Sequence, residues 1–202
     1  MNTTRILVGI GAAAATVTLV AGCSSSGSGD TTATSTTATT TVTAPAQAGA
    51  HNDADVAYVQ MMIPHHQQAV EMAEMVPSRS SNPDLIALAT QIEQAQGPEI
   101  GQMQGWLTAW GVADPSHAGM DHGGTDHGGM MTAGQMQALD TATGPEFDRM
   151  WLEMMIEHHD GAVDSSDDVL QTGESEQVRA LAQQIVASQQ TEITQMQSML
   201  DN

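Results

Sequence analysis

Met61, Met62, His65 and His66 fall within six residues, in the order Met-Met-Ile-Pro-His-His. Met154, Met155, His158 and His159 repeat that order as Met-Met-Ile-Glu-His-His. Thioether sulfur and imidazole nitrogen are uncharged, soft to borderline donors. Together they favour copper, Cu(I) above all, over magnesium, calcium or manganese, and the same softness admits silver. On a helix, Met61/His65 and Met62/His66 are i,i+4 pairs, close enough to share one ion.

A second concentration of the same donors lies between the two motifs. Residues 114–131 contain His117, Met120, His122, His127, Met130 and Met131, and Asp-His-Gly-Gly occurs twice. A short His-rich tract is a compositional metal signal. Its glycines let the backbone wrap around an ion without strain. An ordinary polar linker has no reason to place methionine in water.

The elements that position these residues emerge when the chain is aligned with itself. At an offset of 93, residues 55–107 match 148–200 without a gap, and 21 of 53 positions are identical. A match this long and gapless marks an internal duplication. Each repeat carries two helical stripes. In the first repeat they are Tyr58, Met62, His65, Ala69, Met72, Val76 and then Leu85, Ala89, Ile92, Gln96, Glu99, Met103, Trp106, Trp110. In the second they are Trp151, Met155, His158, Ala162, Ser165, Val169 and then Val178, Ala182, Ile185, Gln189, Glu192, Met196, Met199. The first hairpin breaks between Pro77 and Pro83. Two short-looped hairpins bury their stripes best by pairing, so the expected fold is an all-α four-helix bundle. Pro64 is expected to kink the first helix and Gly97-Pro98 to bend the second.

With Val76 level with Leu85, antiparallel geometry puts His65 opposite Gln96 and Met62 opposite Glu99. His158 then faces Gln189, and Met155 faces Glu192. Glu99, Met103, Glu192 and Met196 join the candidate metal ligands on this ground. Adjacent helical residues point about 100° apart. His65 and His158 are therefore expected inside, and His66 and His159 at a helix boundary or on the surface. The same layer admits a second reading, in which Glu and Gln satisfy the inner histidines and the polar core only fixes register.

At these residues the sequence resembles the bacterial family called domain of unknown function 305. The family pattern of Met-Ile-x-His-His followed by Ala and an apolar residue, then Gln-x-x-Glu-Ile-x-x-Met, stands at 62–70 with 96–103 and at 155–163 with 189–196. The resemblance implies a ferritin-like four-helix bundle and, for exported members, copper binding and copper tolerance. It makes His65, His66, His158, His159 and the neighbouring methionines candidate ligands. Met72 and Met75 become Ser165 and Asp168 in the second repeat, so two fully symmetric Met/His sites are not implied.

The rest of the chain sets the setting. Twenty-four acidic residues against four arginines give a net charge of −20, which repels nucleic acid and anionic headgroups and attracts cations. Arg5, the apolar stretch Ile6 to Val20 and Leu-Val-Ala-Gly-Cys at 19–23 read as a lipoprotein signal, residues 1–22, cleaved before Cys23. Diacylation of Cys23 would hold the chain on the extracytoplasmic face of the cell membrane. Residues 23–52, rich in Ser, Thr and Ala, read as a flexible tether. The bundle is expected over 53–202, with repeat one at 53–111, the His/Met loop at 112–133 and repeat two at 144–202.

Three functions compete at this point. The first is an exported lipoprotein that binds copper or silver for sequestration or delivery, with a copper-transfer protein as a further partner. The second is a non-metal surface or structural lipoprotein. The third is a ferritin-like di-metal oxidase, but that site needs Glu-x-x-His motifs, and none occurs in this chain. No nucleophile with a base and an orienting group emerges, so enzyme activity and organic cofactors are not expected.

Overall fold

The computed structural model describes residues 49–115 and 128–201. The signal segment, Cys23, most of the tether and residues 116–127 lie outside that range, and with them His117, Met120, His122 and His127. Five helices follow in order: α1 (Asp53–Arg79), α2 (Pro83–Trp110), α3 (Ala133–Thr141), α4 (Gly144–Thr172) and α5 (Glu176–Leu200). No strand occurs among the described residues. The architecture is the all-α, ferritin-like four-helix bundle of two repeated hairpins, α1–α2 and α4–α5, joined chiefly by α1 against α4.

Local chemistry explains the helix ends. Asn52 caps α1 in a reciprocal box with Asp55: the Asp55 N–H donates to Asn52 Oδ1 at 3.1 Å, and the Asn52 N–H donates to Asp55 Oδ2 at 2.9 Å. Asn82 caps α2, with Pro83 at its first position, where the missing N–H costs nothing. Gly111 ends α2 in the left-handed region, at φ 72°.

The break expected from Pro77 onward falls later. Helix α1 continues through Pro77 to Arg79, and the turn is Ser80–Asn82. Proline removes one helical hydrogen bond, but Ala73 and Val76 in the same turn are fully buried, and the Ser80 N–H closes the end on Val76 O at 2.9 Å. Packing outweighs the single lost bond. Pro64 and Pro98 likewise lie within helices that continue on both sides. The stretch after the His/Met loop is not plain connection. It forms α3, started by a Thr132–Gln135 capping box.

A polar layer divides the core into two apolar clusters. One holds Met72, Val76, Leu85, Ile92, Phe147, Trp151 and Met196, with Leu139 of α3 laid over it. The other holds Tyr58, Met62, Ile63, Met103, Leu107, Val178 and Ile185. Each fully buried large side chain contributes roughly 1.5–3 kcal/mol.

The hairpins are also tied by pseudo-symmetric hydrogen bonds. Tyr58 and Trp151 stand at equivalent repeat positions. The Tyr58 hydroxyl meets Ser166 Oγ at 2.9 Å, and Trp151 Nε1–H donates to Met72 O at 2.8 Å. The stripe expected through Ser165 therefore runs through Ser166, which is fully buried, while Ser165 is half-buried. Asp55 adds a third tie, accepting the N–H groups of Glu174 and Ser175 at the start of α5, both at 3.0 Å.

Candidate metal centre

The polar layer is built from His65, His66, Gln96, Glu99, His158, His159, Gln189 and Glu192, all buried. His66 and His159 are as completely buried as His65 and His158, which corrects the expectation that they lie at a boundary or on the surface. A helix in a four-helix bundle packs against two neighbours. Adjacent residues about 100° apart can then both be buried, each facing a different partner helix. His65 faces α4, and His66 faces α2.

The partners differ accordingly. Glu99 bonds His66, at 2.9 Å from Nε2 to Oε2, and Glu192 bonds His159 at 2.7 Å. His65 and His158 instead lie against each other, with ring centroids 3.7 Å apart and planes inclined by 36°. The expected pairings of His65 with Gln96 and of Met62 with Glu99 are replaced by these contacts. Each carboxylate also takes a donor from the other hairpin. Gln184 Nε2 donates to Glu99 Oε1 at 2.9 Å, and Gln91 Nε2 donates to Glu192 Oε1 at 3.0 Å. Gln91 and Gln184 are identical at the repeat offset but lie off the apolar stripes, so stripe analysis passed over them. Their identity at that offset is the signal that could have found them.

Three of the four imidazoles follow one pattern. A carboxylate or carbonyl oxygen can only accept, so His66 and His159 donate through Nε2–H to their glutamates. His65 donates through Nε2–H to Gly128 O at 3.0 Å. In all four histidines Nδ1 is buried and has no hydrogen-bond partner among the described residues, and His158 Nε2 has none either. In a neutral ring that donates through Nε2, as His65, His66 and His159 do, Nδ1 carries a lone pair. A carboxylate or carbonyl on one imidazole nitrogen fixes the tautomer, orients the ring and raises the basicity of the other nitrogen. This is the usual support of a metal-ligating histidine.

Electrostatics keeps the inner pair neutral. Burial pushes the His65 imidazolium down to about 3, His66 beside it pushes the same way, and the Gly128 carbonyl opposes both. His158 is held well below the ordinary histidine range, by burial first and then by His65 and His159. Neutral imidazole is the form that ligates metal, so protons compete little for these rings.

The remaining candidates divide by burial. Met62, Met103, Met155 and Met196 are fully buried, Met131 is nearly so, and Met61 and Met130 are half-buried. The four rings are not gathered on one point: centroids lie 6.4 Å apart for His65 and His66, and 6.3 Å apart for His158 and His159. Among the described residues, no three His, Cys, Asp or Glu side chains stand in a ready metal-holding arrangement.

The His/Met loop returns to the bundle at this layer. Besides the Gly128–His65 bond, Gln68 clamps the Met131 backbone, donating to its carbonyl at 2.9 Å and accepting its N–H at 2.6 Å. Gly128 and Gly129 have φ of 57° and 82°. Gly161 of α4 lies directly beneath them, where an added Cβ would sit 1.8 Å from Gly128 O.

These features define a class: a duplicated four-helix bundle with a buried histidine–carboxylate layer and a loop folded back onto it. The sequence pattern of the DUF305 family, described as a domain of unknown function, matches residues 55–200. The chain belongs to that family. Solved structures agree. A DUF305 protein from Streptomyces coelicolor, described as a candidate secreted protein, shares 32% identity over 73% of this chain and 92% of its own, with a TM-score of 0.65. CopM in its Cu(II)-bound form shares 35% identity over 73% of this chain and 96% of its own, with a TM-score of 0.65. A DUF305 fragment from Deinococcus radiodurans shares 32% identity over 74% and 97%, with a TM-score of 0.64. CopM is also known in Cu(I)-bound and silver-bound forms. No curated protein is recognisably similar to this chain.

Proposed function

We propose that this chain is an exported lipoprotein, anchored through Cys23, that binds copper or silver ions with Met and His ligands and sequesters or hands on the ion. The observation that carries the proposal is the set of four buried imidazoles, each leaving Nδ1 without a protein partner among the described residues, three of them fixed through Nε2. Structurally that set costs stability, since a buried polar atom without a partner costs about 1–3 kcal/mol. A ligated ion would recover the cost. Buried thioethers one turn away, Met62 before His66 and Met103 after Glu99, supply soft donors that suit Cu(I) and Ag(I). Copper- and silver-bound CopM, similar over nearly its whole length, supports the choice of ion. The candidate secreted relative supports an extracytoplasmic place. The ion is cargo in this reading, and the chain is a binder rather than an enzyme.

An anaerobic Cu(I) competition titration tests this. Removing His65, His158 or residues 117–131 is expected to weaken binding at least tenfold in one or more variants. Unchanged affinity in all of them would sink the proposal.

One observation favours the structural reading. Both oxygens of Glu99 and of Glu192 are already occupied, each by one His and one Gln, in a network that sets the register of all four long helices. If that were its whole role, copper would leave thermal stability unchanged, because only a ligand bound to the folded state raises it.

A further inference from the structure

The linker from Gly128 to α3 crosses two clefts that the duplication makes equivalent. Gln68 and Glu71 of α1 line one. Gly161 and Asp164 occupy the corresponding repeat positions on α4 and line the other. The donors in the two clefts differ. The α4 cleft presents carboxylates and backbone oxygen. The α1 cleft, of about 270 Å³, is lined by Met130, Met131 and Met136 together with Glu71 and Gln68. Among the described residues, no basic residue lines it.

We propose that the α1 cleft is a separate soft-metal site, taking Cu(I) or Ag(I) through the thioethers of Met130 and Met136. This rests on the soft-metal reading of the chain but not on the buried imidazoles. The positions of both methionines are set in advance. The two bonds from Gln68 to the Met131 backbone hold the Met130–Met131 segment on α1. The Thr132–Gln135 capping box fixes the first turn of α3, from which Met136 projects. Met131 is 4% exposed and belongs to the core, whereas Met130 and Met136 are only half-buried. Their sulfurs are therefore the reachable ones. Leucine would pack as well at a half-buried position, so packing alone does not select methionine there. Glu71 is exposed and brings a negative charge that offsets the positive charge of a monovalent cation. Thioether donors select soft ions, whereas the oxygen-lined twin cleft on α4 offers a soft ion nothing comparable. The sulfur site is therefore a feature of the linker and α3, which occur once, and not of the repeat.

Silver titration of the full chain carrying methyl-13C methionine tests the proposal, with Met130 and Met136 assigned through Met130→Leu and Met136→Leu. The two methyl resonances are expected to move together and saturate with the same silver equivalent. The double leucine variant is expected to lose that equivalent. Glu71→Gln, at an exposed position that leaves folding intact, is expected to weaken it severalfold. Leu for Met conserves volume, so the fold should persist. If the double variant fails to fold, the methyl shifts of the native chain still decide. Response of other methionines while Met130 and Met136 stay unmoved overturns this site and leaves the metal-binding function standing. No response anywhere overturns both.

Discussion

Gln68 and Gly161 stand at equivalent positions of the two repeats, and the linker uses one for its side chain and the other for its lack of one. Gln68 holds the Met131 backbone by two hydrogen bonds, while Gly161 lets the Gly128 carbonyl come within van der Waals reach of α4. A duplicated bundle joined by one asymmetric linker cannot treat both repeats alike. The difference at this pair fixes where the loop lands, directly over His65.

Gly161→Ala should therefore be costly. Its Cβ would lie 1.8 Å from Gly128 O and 2.6 Å from the Gly129 nitrogen, so backbone must move. A loss of about 1–3 kcal/mol is expected, the usual range for forced overpacking. Gly105→Ala on α2 is the control. Nothing lies within 4 Å of its added Cβ, and a gain of about 0.5–1 kcal/mol is expected from the stiffer helix. Urea unfolding of both variants checks the contrast, and a Gly161→Ala chain as stable as the parent would show that the linker is not seated there.

Glu99→Gln separates the metal reading from the structural one. The amide oxygen can still accept from His66 Nε2–H, and Gln184, by turning its own amide, can accept from the new NH2 in place of donating, so the fold should survive. The carboxylate charge that raises the basicity of His66 Nδ1 is lost, and an outer-sphere loss of this kind lowers metal affinity about 10–100-fold. Cu(I) competition titration reads the change. Equal affinity in Glu99→Gln and the parent would remove His66 from the ligand set.

The Tyr58–Ser166 bond should couple the two hairpins measurably. Tyr58→Phe leaves the buried Ser166 hydroxyl short of a partner and is expected to cost about 0.5–1.5 kcal/mol. Ser166→Ala removes the other half. If the bond contributes as a pair, the double variant costs less than the sum of the single ones, by about 0.5 kcal/mol or more. Additive losses in a denaturant series would show the contact to be incidental.

The fold was legible because the duplication and the apolar period agree. Tyr58, Met62, His65, Ala69, Met72 and Val76 are all buried as their spacing requires. The site was less legible, for a geometric reason. A stripe assigns each helix one inner face, but α1 has two partner helices and buries His65 and His66 toward different ones. Treating the inward sector as one residue wide misplaced His66 and His159 and set Glu99 and Glu192 opposite Met62 and Met155 instead of those histidines. Gln91 and Gln184 reach the glutamates from exposed positions, which no burial pattern reveals. Helix α3 carried a readable signal, Thr-x-x-Gln at 132–135. It was hidden because nine residues are too few to show a helical period.

The inner histidines make acid the natural stress on the metal-free protein. Unfolded, His65 and His158 take up protons near the ordinary value of about 6.5. Folded, His65 resists protonation until about 3, and His158 also stays neutral well below the ordinary range. Between those limits the unfolded chain binds more protons than the folded one, so stability falls as pH falls. The contribution is fully present above about 6.5 and is lost progressively below it, at up to about 1.4 kcal/mol per pH unit for each histidine. Below about 3 the His65 share stops growing, because both states are then protonated. Urea midpoints of the metal-free chain between pH 7 and pH 4 measure this slope. His65→Leu/His158→Leu should flatten it over that range while the carboxylate contributions remain. An equally steep slope in that variant would show that the His65–His158 pair is not the acid-sensitive element.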